Sequence, residues 1–567
     1  MRRRNVLVAA CAAAALLSST AALTPFASAD QGQRTDYLVL FRSTSPDASA
    51  QQAITRAGGT ITEVNRKLGL AFVQSRDTGF TSSLASSGAV AGVARDRTIG
   101  TARQSHRPKR QDVERLTARE RAAAAGATVK DAKPPAAGTK VTPEPLANLQ
   151  WDMRQIGATA TGSYARNQGS KKVLVGVIDT GIDGSHPDIA PNFYAKLSRN
   201  FVTDRPDIDG PCEHPSCQDP ADEDDDGHGT HVASTIGAPI NGIGIAGVAP
   251  NVTLVNIRAG QDSGYFFLQP TLDALTYAGD IGVDVVNMSF YVDPWLYNCT
   301  DNPADTPAQQ QEQRTIREAT QRAISYATHR GVLPVAAMGN EHTDLGHPTV
   351  DTTSPDYPDT AAHTRTVDNS CLNLPTEAKG VMAVSSTGPS TRLAYYSNYG
   401  TEQTDIAAPG GDAYDTPGNT LDPKALVLAA YPAALALANG DLNPDGTPNN
   451  PFVVRDCKGT TCGYYQYLQG TSMATPHAVG VAALAVSQFG KQDKRNGGLT
   501  LQPNKTEQQV YQSAQQHPCP EPRTFHWTRV GSTGTTSESQ ATCEGTLHKN
   551  GFYGHGIVNA YAVLGRH

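Results

Sequence analysis

Val173-Leu174-Val175-Gly176-Val177-Ile178-Asp179-Thr180-Gly181 is an apolar, β-branched run that stops on a carboxylate and a glycine. A run of this kind, closed by a turn signal, reads as a strand buried on both faces. Similar runs follow at Val252 to Ile257, Val283 to Val286, Val332 to Ala337 and Val381 to Val384, with helical stretches such as Thr315 to His329 between them. Alternation of this sort implies an α/β fold: a mostly parallel sheet with helices on both faces. Reactive groups in such folds belong at the carboxyl ends of strands, which is where Asp179 stands.

Two other segments fit the same placement. His228 lies in Asp226-Gly227-His228-Gly229-Thr230-His231-Val232-Ala233, just ahead of a helical run. Ser472 lies in Gly470-Thr471-Ser472-Met473-Ala474-Thr475-Pro476-His477, at the opening of an apolar helix that runs on through Val486. A serine hydroxyl is a poor nucleophile until a neutral imidazole takes its proton, and that imidazole needs a carboxylate to fix its tautomer. The glycines allow close approach of backbone and substrate. A helix start also supplies free N–H groups and a positive dipole end for a developing oxyanion.

In the chain order Asp, His, Ser, these segments resemble those of the subtilisin-like (subtilase) serine peptidases. The resemblance runs from about Trp151 to the closing segment Tyr553-Gly554-His555-Gly556-Ile557-Val558-Asn559-Ala560. It implies that Asp179 orients, His228 acts as general base and acid, and Ser472 is the nucleophile. Asn340, in Ala337-Met338-Gly339-Asn340-Glu341, matches the family's side-chain oxyanion donor; His231 is not the base. Residues 30–102 resemble the family's inhibitory propeptide, so the expected partners are polypeptide substrates and the chain's own propeptide. The chemistry calls for no cofactor. Taken singly, each element has a plainer reading: a turn aspartate, helix-start histidines, an N-cap, a left-handed asparagine.

The rest of the chain organises around this unit. Arg2 to Arg4, the apolar stretch Val6 to Leu17 and Ala27-Ser28-Ala29 follow the order of a secretory signal peptide over residues 1–29, implying export. Cys11 sits too early in that stretch for a lipoprotein anchor. Residues 36–100 alternate short apolar runs around a helical stretch near Ala48 to Ala57, which predicts a small α+β module. Residues 103–148, dominated by Arg, Lys, Ala and Pro, read as an exposed, cleavable linker, with the peptidase unit over 149–567. A net charge of −7 argues against a nucleic-acid partner, and no later stretch is apolar enough for a membrane anchor.

Without Cys11, eight cysteines remain: Cys212, Cys217, Cys299, Cys371, Cys457, Cys462, Cys519 and Cys543. An even count in an exported chain favours disulfides over zinc. Cys212/Cys217 and Cys457/Cys462 can close small loops; Cys299–Cys371 and Cys519–Cys543 are one pairing of the rest.

Where the family usually has glycines after Asn287-Met288-Ser289, this chain has Phe290-Tyr291-Val292-Asp293-Pro294. The resemblance therefore puts Ser289, Phe290 and Tyr291 on one wall of the substrate cleft and Ala337, Met338 and Gly339 on another, with bulk that narrows it. Extra segments at Tyr291 to Thr315, Thr343 to Lys379 and Gly411 to Tyr465 are expected to shape the cleft. The acidic run Asp219, Asp222, Glu223, Asp224, Asp225, Asp226 suits structural calcium, or a solvated loop that raises the basicity of His228. Two rival readings stand beside the peptidase. One is an aspartic peptidase built on Asp179-Thr180-Gly181 and Asp262-Ser263-Gly264. The other is an exported binding protein that keeps the fold without the activity.

Overall fold

The computed structural model describes residues 34–43, 48–96, 113–115, 141–531 and 534–565. The signal-peptide reading of residues 1–29 and most of the linker fall outside them.

The first module has strands β1 (Thr35–Phe41), β2 (Gly59–Asn65), β3 (Leu70–Ser75) and β4 (Val90–Asp96), with helices α1 (Ala48–Arg56) and α2 (Phe80–Ala85). The strands pair antiparallel in the order β2-β3-β1-β4. One sheet face buries Tyr37, Val39 and Val73 against Ile54, Phe80 and Leu84 of the helices. The opposite face, with Leu38, Leu40 and Phe72, joins the core of the second unit.

That second unit opens with α3 (Trp151–Gln155), β5 (Leu174–Ile178), β6 (Arg199–Asn200), α4 (His228–Gly237), β7 (Thr253–Arg258) and α5 (Leu268–Ile281). It continues with β8 (Val285–Met288), α6 (Pro307–His329), β9 (Leu333–Ala337), the ribbon β10 (Val350–Asp351) and β11 (Arg365–Thr366), β12 (Met382–Thr387) and β13 (Ile406–Pro409). Seven of these strands form one parallel sheet, β13-β12-β9-β8-β5-β7-β6. Val175 and Val177 of β5 pack with α4 and the later helix α8 (Thr471–Phe489) on one face. Ile178 packs with α5 and α6 on the other. Because β7 and β8 flank β5 on opposite sides, the strand order reverses there and leaves a crevice at its carboxyl end. Helix α6 begins at Pro307, ahead of the Thr315 that periodicity suggests. Thr306 and Gln309 form a reciprocal capping box there, with proline at the first turn.

The extra segments are ordered and cross-linked. Cys299–Cys371 ties the first to the second. The third supplies β14 (Val427–Tyr431), α7 (Ala433–Ala438), β15 (Val453–Lys458) and most of β16 (Thr461–Leu468), an antiparallel sheet ordered β14-β16-β15. Cys457–Cys462 closes its hairpin, and Cys212–Cys217 and Cys519–Cys543 complete four disulfides.

The linker reading needs correction at both described places. Glu144 is buried and accepts the backbone N–H of Gly242 at 2.8 Å, while Leu146 and Leu149 pack on an apolar cluster. Val113 to Arg115 is not exposed either: Glu114 is 5% exposed at its side chain and sits in the crevice beside β5.

Candidate active site

Asp179 leaves β5 fully buried. Its Oδ1 accepts the N–H of Thr180 at 2.8 Å and lies 2.6 Å from Nδ1 of His228. A carboxylate can only accept here, so Nδ1 of His228 carries the proton and Nε2 points the other way. His228 is the first residue of α4, preceded by Gly227 at φ 89°. Asp224 fixes this corner: it accepts from Thr180 Oγ1 (2.9 Å), Gly227 N (2.9 Å), and Thr230 N and Oγ1 (2.9 and 2.6 Å). It ties the end of β5 to the start of α4. Gly229 is required by contact, since a Cβ there would lie 2.1 Å from the carbonyl oxygen of Gly181.

Ser472 opens α8 after Gly470, whose φ is 151°. Asn340, after β9, accepts the N–H and the hydroxyl of Thr471 at 2.9 and 3.0 Å through Oδ1. Those bonds fix which end of the amide faces the crevice, so Nδ2 is the donor presented there. The crevice is occupied by the Glu114 carboxylate. Ser472 Oγ donates to Glu114 Oε1 at 2.5 Å, and Asn340 Nδ2 reaches the same oxygen at 3.3 Å. His228 Nε2 lies 3.4 Å from Oε2. Burial disfavours the imidazolium, yet Asp179 and Glu114 together outweigh it and raise the His228 pKa well above its usual value. His231 differs: burial, and then the charge of the neighbouring His228, outweigh the carbonyls of Val427 and Gln466 near its Nε2 and push it down to about 3.

The substrate walls come out unevenly. Phe290, Tyr291, Ala337 and Gly339 line a recess beside Ser472 and Asn340, together with Glu341, Asn373 and Thr471, which sequence reasoning missed. It holds about 10 Å³ of water-accessible space, room for roughly one water. Phe290 stacks on Phe266 with ring centroids 4.1 Å apart. Met338 is not a wall. It is fully buried among Leu296, Tyr297 and Leu345, because its side chain leaves the strand on the core side. Ser289 supports Ser472 instead: its hydroxyl accepts from Asn287 Nδ2 at 2.9 Å and donates to the carbonyl of Ser472 at 3.1 Å.

The acidic run divides in two. Asp224 and Asp226 are committed to the start of α4, Asp226 accepting from His228 N at 3.2 Å. Asp219 and Asp225 gather instead with Asp204 and Asp262 near the buried Arg258, which pairs with Asp219 (2.6 Å) and Asp262 (2.5 Å). Asp262 thus goes to a guanidinium and Asp179 to an imidazole, so the aspartic-peptidase pair is not assembled.

A family model described as the subtilase family matches residues 170–556. The chain is 29% identical over 322 residues to the thermophilic serine proteinase of Bacillus sp. (strain AK1), covering 57% of this chain and 54% of that one. It is 30% identical over 352 residues to the nisin leader peptide-processing serine protease NisP of Lactococcus lactis subsp. lactis, covering 60% and 44%. The chain thus spans about half the length of these relatives. Among solved structures, the epidermin leader peptide processing serine protease (EpiP) of Staphylococcus aureus matches with a TM-score of 0.58 at 20% identity. That match covers 94% of this chain and 98% of the other, a likeness of fold.

Proposed function

The chain belongs to the subtilase family, and we propose that it is an exported serine endopeptidase that hydrolyses polypeptides through Asp179, His228 and Ser472. The observation that carries this reading is the convergence of Ser472 Oγ, His228 Nε2 and Asn340 Nδ2 on one carboxylate, with Asp179 behind the imidazole. With a peptide carbonyl in place of that carboxylate, Ser472 Oγ attacks carbon while His228 Nε2 takes the hydroxyl proton. Asn340 Nδ2 donates to the developing oxyanion. His228 then gives the proton to the departing amine, leaving an acyl-enzyme. A water, deprotonated by the same imidazole, releases the acid and regenerates Ser472. Asp179 holds the tautomer and the charged imidazolium throughout.

The small recess closed by Phe290 and Tyr291 supports a preference for a small side chain next to the scissile bond. Export rests on the N-terminal pattern and on four disulfides, which persist in oxidising compartments. The residue 30–102 module acts as the chain's own propeptide, supported by its docking on α5 and α6. Asn65 Nδ2 donates to Thr276 Oγ1 at 3.2 Å, and Arg322 Nη1 donates to the carbonyls of Phe41 and Leu68 at 3.1 Å each. For calcium, Asp204 and Asp225 keep carboxylate oxygens with no hydrogen-bond donor among the described residues, which fits a cation beside Arg258. Asp219, Asp225 and Asp262 would hold it, and its charge would stiffen the loop ahead of His228.

Digestion of unfolded casein tests the reading. Wild type should hydrolyse it, while Ser472→Ala should not and should accumulate as a chain starting near Asp30. Hydrolysis that survives Ser472→Ala contradicts the assignment, and a folded wild type that never hydrolyses any peptide favours the binding-protein alternative.

A further inference from the structure

We propose that the catalytic cleft is a binding site for an acidic–basic residue pair, and that Glu114 and Arg115 of this chain fill it as a tethered inhibitor. The proposal rests on the serine-peptidase reading and adds the ligand chemistry.

Three observations carry it. The Glu114 carboxylate sits where an oxyanion would develop, with Ser472 Oγ at 2.5 Å, Asn340 Nδ2 at 3.3 Å and His228 Nε2 at 3.4 Å. Arg115 is held on the adjoining wall: its Nη2 donates to Asp226 Oδ1 at 3.0 Å and also to the Asp226 carbonyl. The Asp226 carboxylate is 4% exposed and lies two residues before His228. The backbone is pinned from the serine side, where Gln469 donates its N–H to the Glu114 carbonyl at 3.3 Å and its Nε2–H to the Val113 carbonyl at 3.0 Å.

The chemistry makes this an inhibitor. A carboxylate carbon carries a delocalised negative charge and resists nucleophilic attack, so no bond forms to Ser472 Oγ. The Ser472 hydroxyl donates to Glu114 and not to His228. The imidazole, caught between two carboxylates, is favoured in its protonated form, which cannot act as base. Tethering raises the local concentration of the segment to ~mM, so a weak pair interaction suffices while the chain is intact. Once proteolysis separates residues 113–115 from the enzyme, that advantage is gone. The ligand class is therefore a peptide carrying Glu followed by Arg.

Two measurements test this. In the first, the intact precursor, resolved from processed chain on a gel, is treated with a fluorophosphonate in wild-type, Glu114→Gln and Glu114→Ala forms. The Glu114→Ala precursor should label at least about tenfold faster than wild type, on the scale of one lost charge-assisted hydrogen bond. Equal rates overturn the proposal. In the second, the peptide Gln-Asp-Val-Glu-Arg-Leu-Thr-Ala, residues 111–118, is added to processed enzyme that has lost Arg115. It should inhibit competitively without being cut at its Glu. Its Glu114→Gln and Arg115→Ala versions should inhibit less, as should the parent peptide against Asp226→Asn enzyme. Equal inhibition by all versions overturns the pair recognition, and this arm does not depend on how the precursor variants fold. If no chain labels, processed wild type included, the serine-peptidase reading fails and this proposal with it.

Discussion

Asp179–His228 and Asp152–His477 are both buried carboxylate–imidazole pairs, with contacts of 2.6 and 3.0 Å. In the first, one imidazole nitrogen bonds the carboxylate and the other opens on the crevice with Ser472. In the second, Nε2 meets Asp152 and Nδ1 meets the carbonyl of Met473 at 2.8 Å, one turn back along α8. Both acceptors there leave His477 no nitrogen to take a proton from anything else. An Asp–His pair can thus serve as a base only when its second nitrogen faces a crevice, here one from which Glu114 can leave, and not a fixed backbone carbonyl. Position in the sheet arranges this: His228 starts a helix at the mouth of the β5 crevice, whereas His477 lies on the buried flank of α8.

The largest effect should separate the two histidines. His228→Ala should lower kcat by about 10⁴–10⁶ with the fold intact. His477→Ala should strip a buried partner from Asp152 and cost about 3–5 kcal/mol in urea unfolding, while whatever folds keeps near-normal kcat. A folded His477→Ala enzyme with kcat as low as that of His228→Ala would break the distinction.

Next in size is Asn340→Ala. With Asn340 Nδ2 as oxyanion donor, kcat should fall about 10²–10³ with little change in KM, a magnitude taken from a subtilisin's side-chain donor. Unchanged turnover would reduce Asn340 to a clamp on Thr471.

The smallest effect belongs to a buried carboxyl outside both pairs. Asp188 accepts from Ile245 N (3.0 Å), Tyr465 Oη (2.8 Å) and Asn241 Nδ2 (3.0 Å), and burial pushes its pKa up to about 7. The folded chain therefore holds this proton more tightly than the unfolded one. The stability it contributes is full below about pH 4 and is lost as pH rises through 7. Asp188→Asn cannot ionise, so its Tm relative to wild type should rise by about 5 °C between pH 4 and 8. A constant difference across that range would show that Asp188 does not titrate there.

Legibility from sequence followed the range of the forces involved. The strand runs were read within a residue or two because burial on both faces forces continuous apolar sequence, as β5, β7 and β9 show. Asp179, His228, Ser472 and Asn340 were visible because local backbone demands, such as Gly227 and Gly229 around His228, leave a pattern beside each of them. Glu114 left none. Its partners lie 114 to 358 residues further along the chain, and its neighbours have the composition of a solvated linker. Met338 was misplaced because motif position says which strand end a residue occupies but not which face its side chain takes. The short edge strand β13, ending on Pro409, was too brief to register.

The most direct check on the nucleophile is mass spectrometry of processed enzyme after treatment with a serine-directed fluorophosphonate. The adduct is expected on the peptide containing Ser472, at one per chain, with hydrolysis lost in proportion and labelling abolished in His228→Ala. An adduct on any other residue, or full peptide hydrolysis by enzyme already labelled at Ser472, would contradict the assignment.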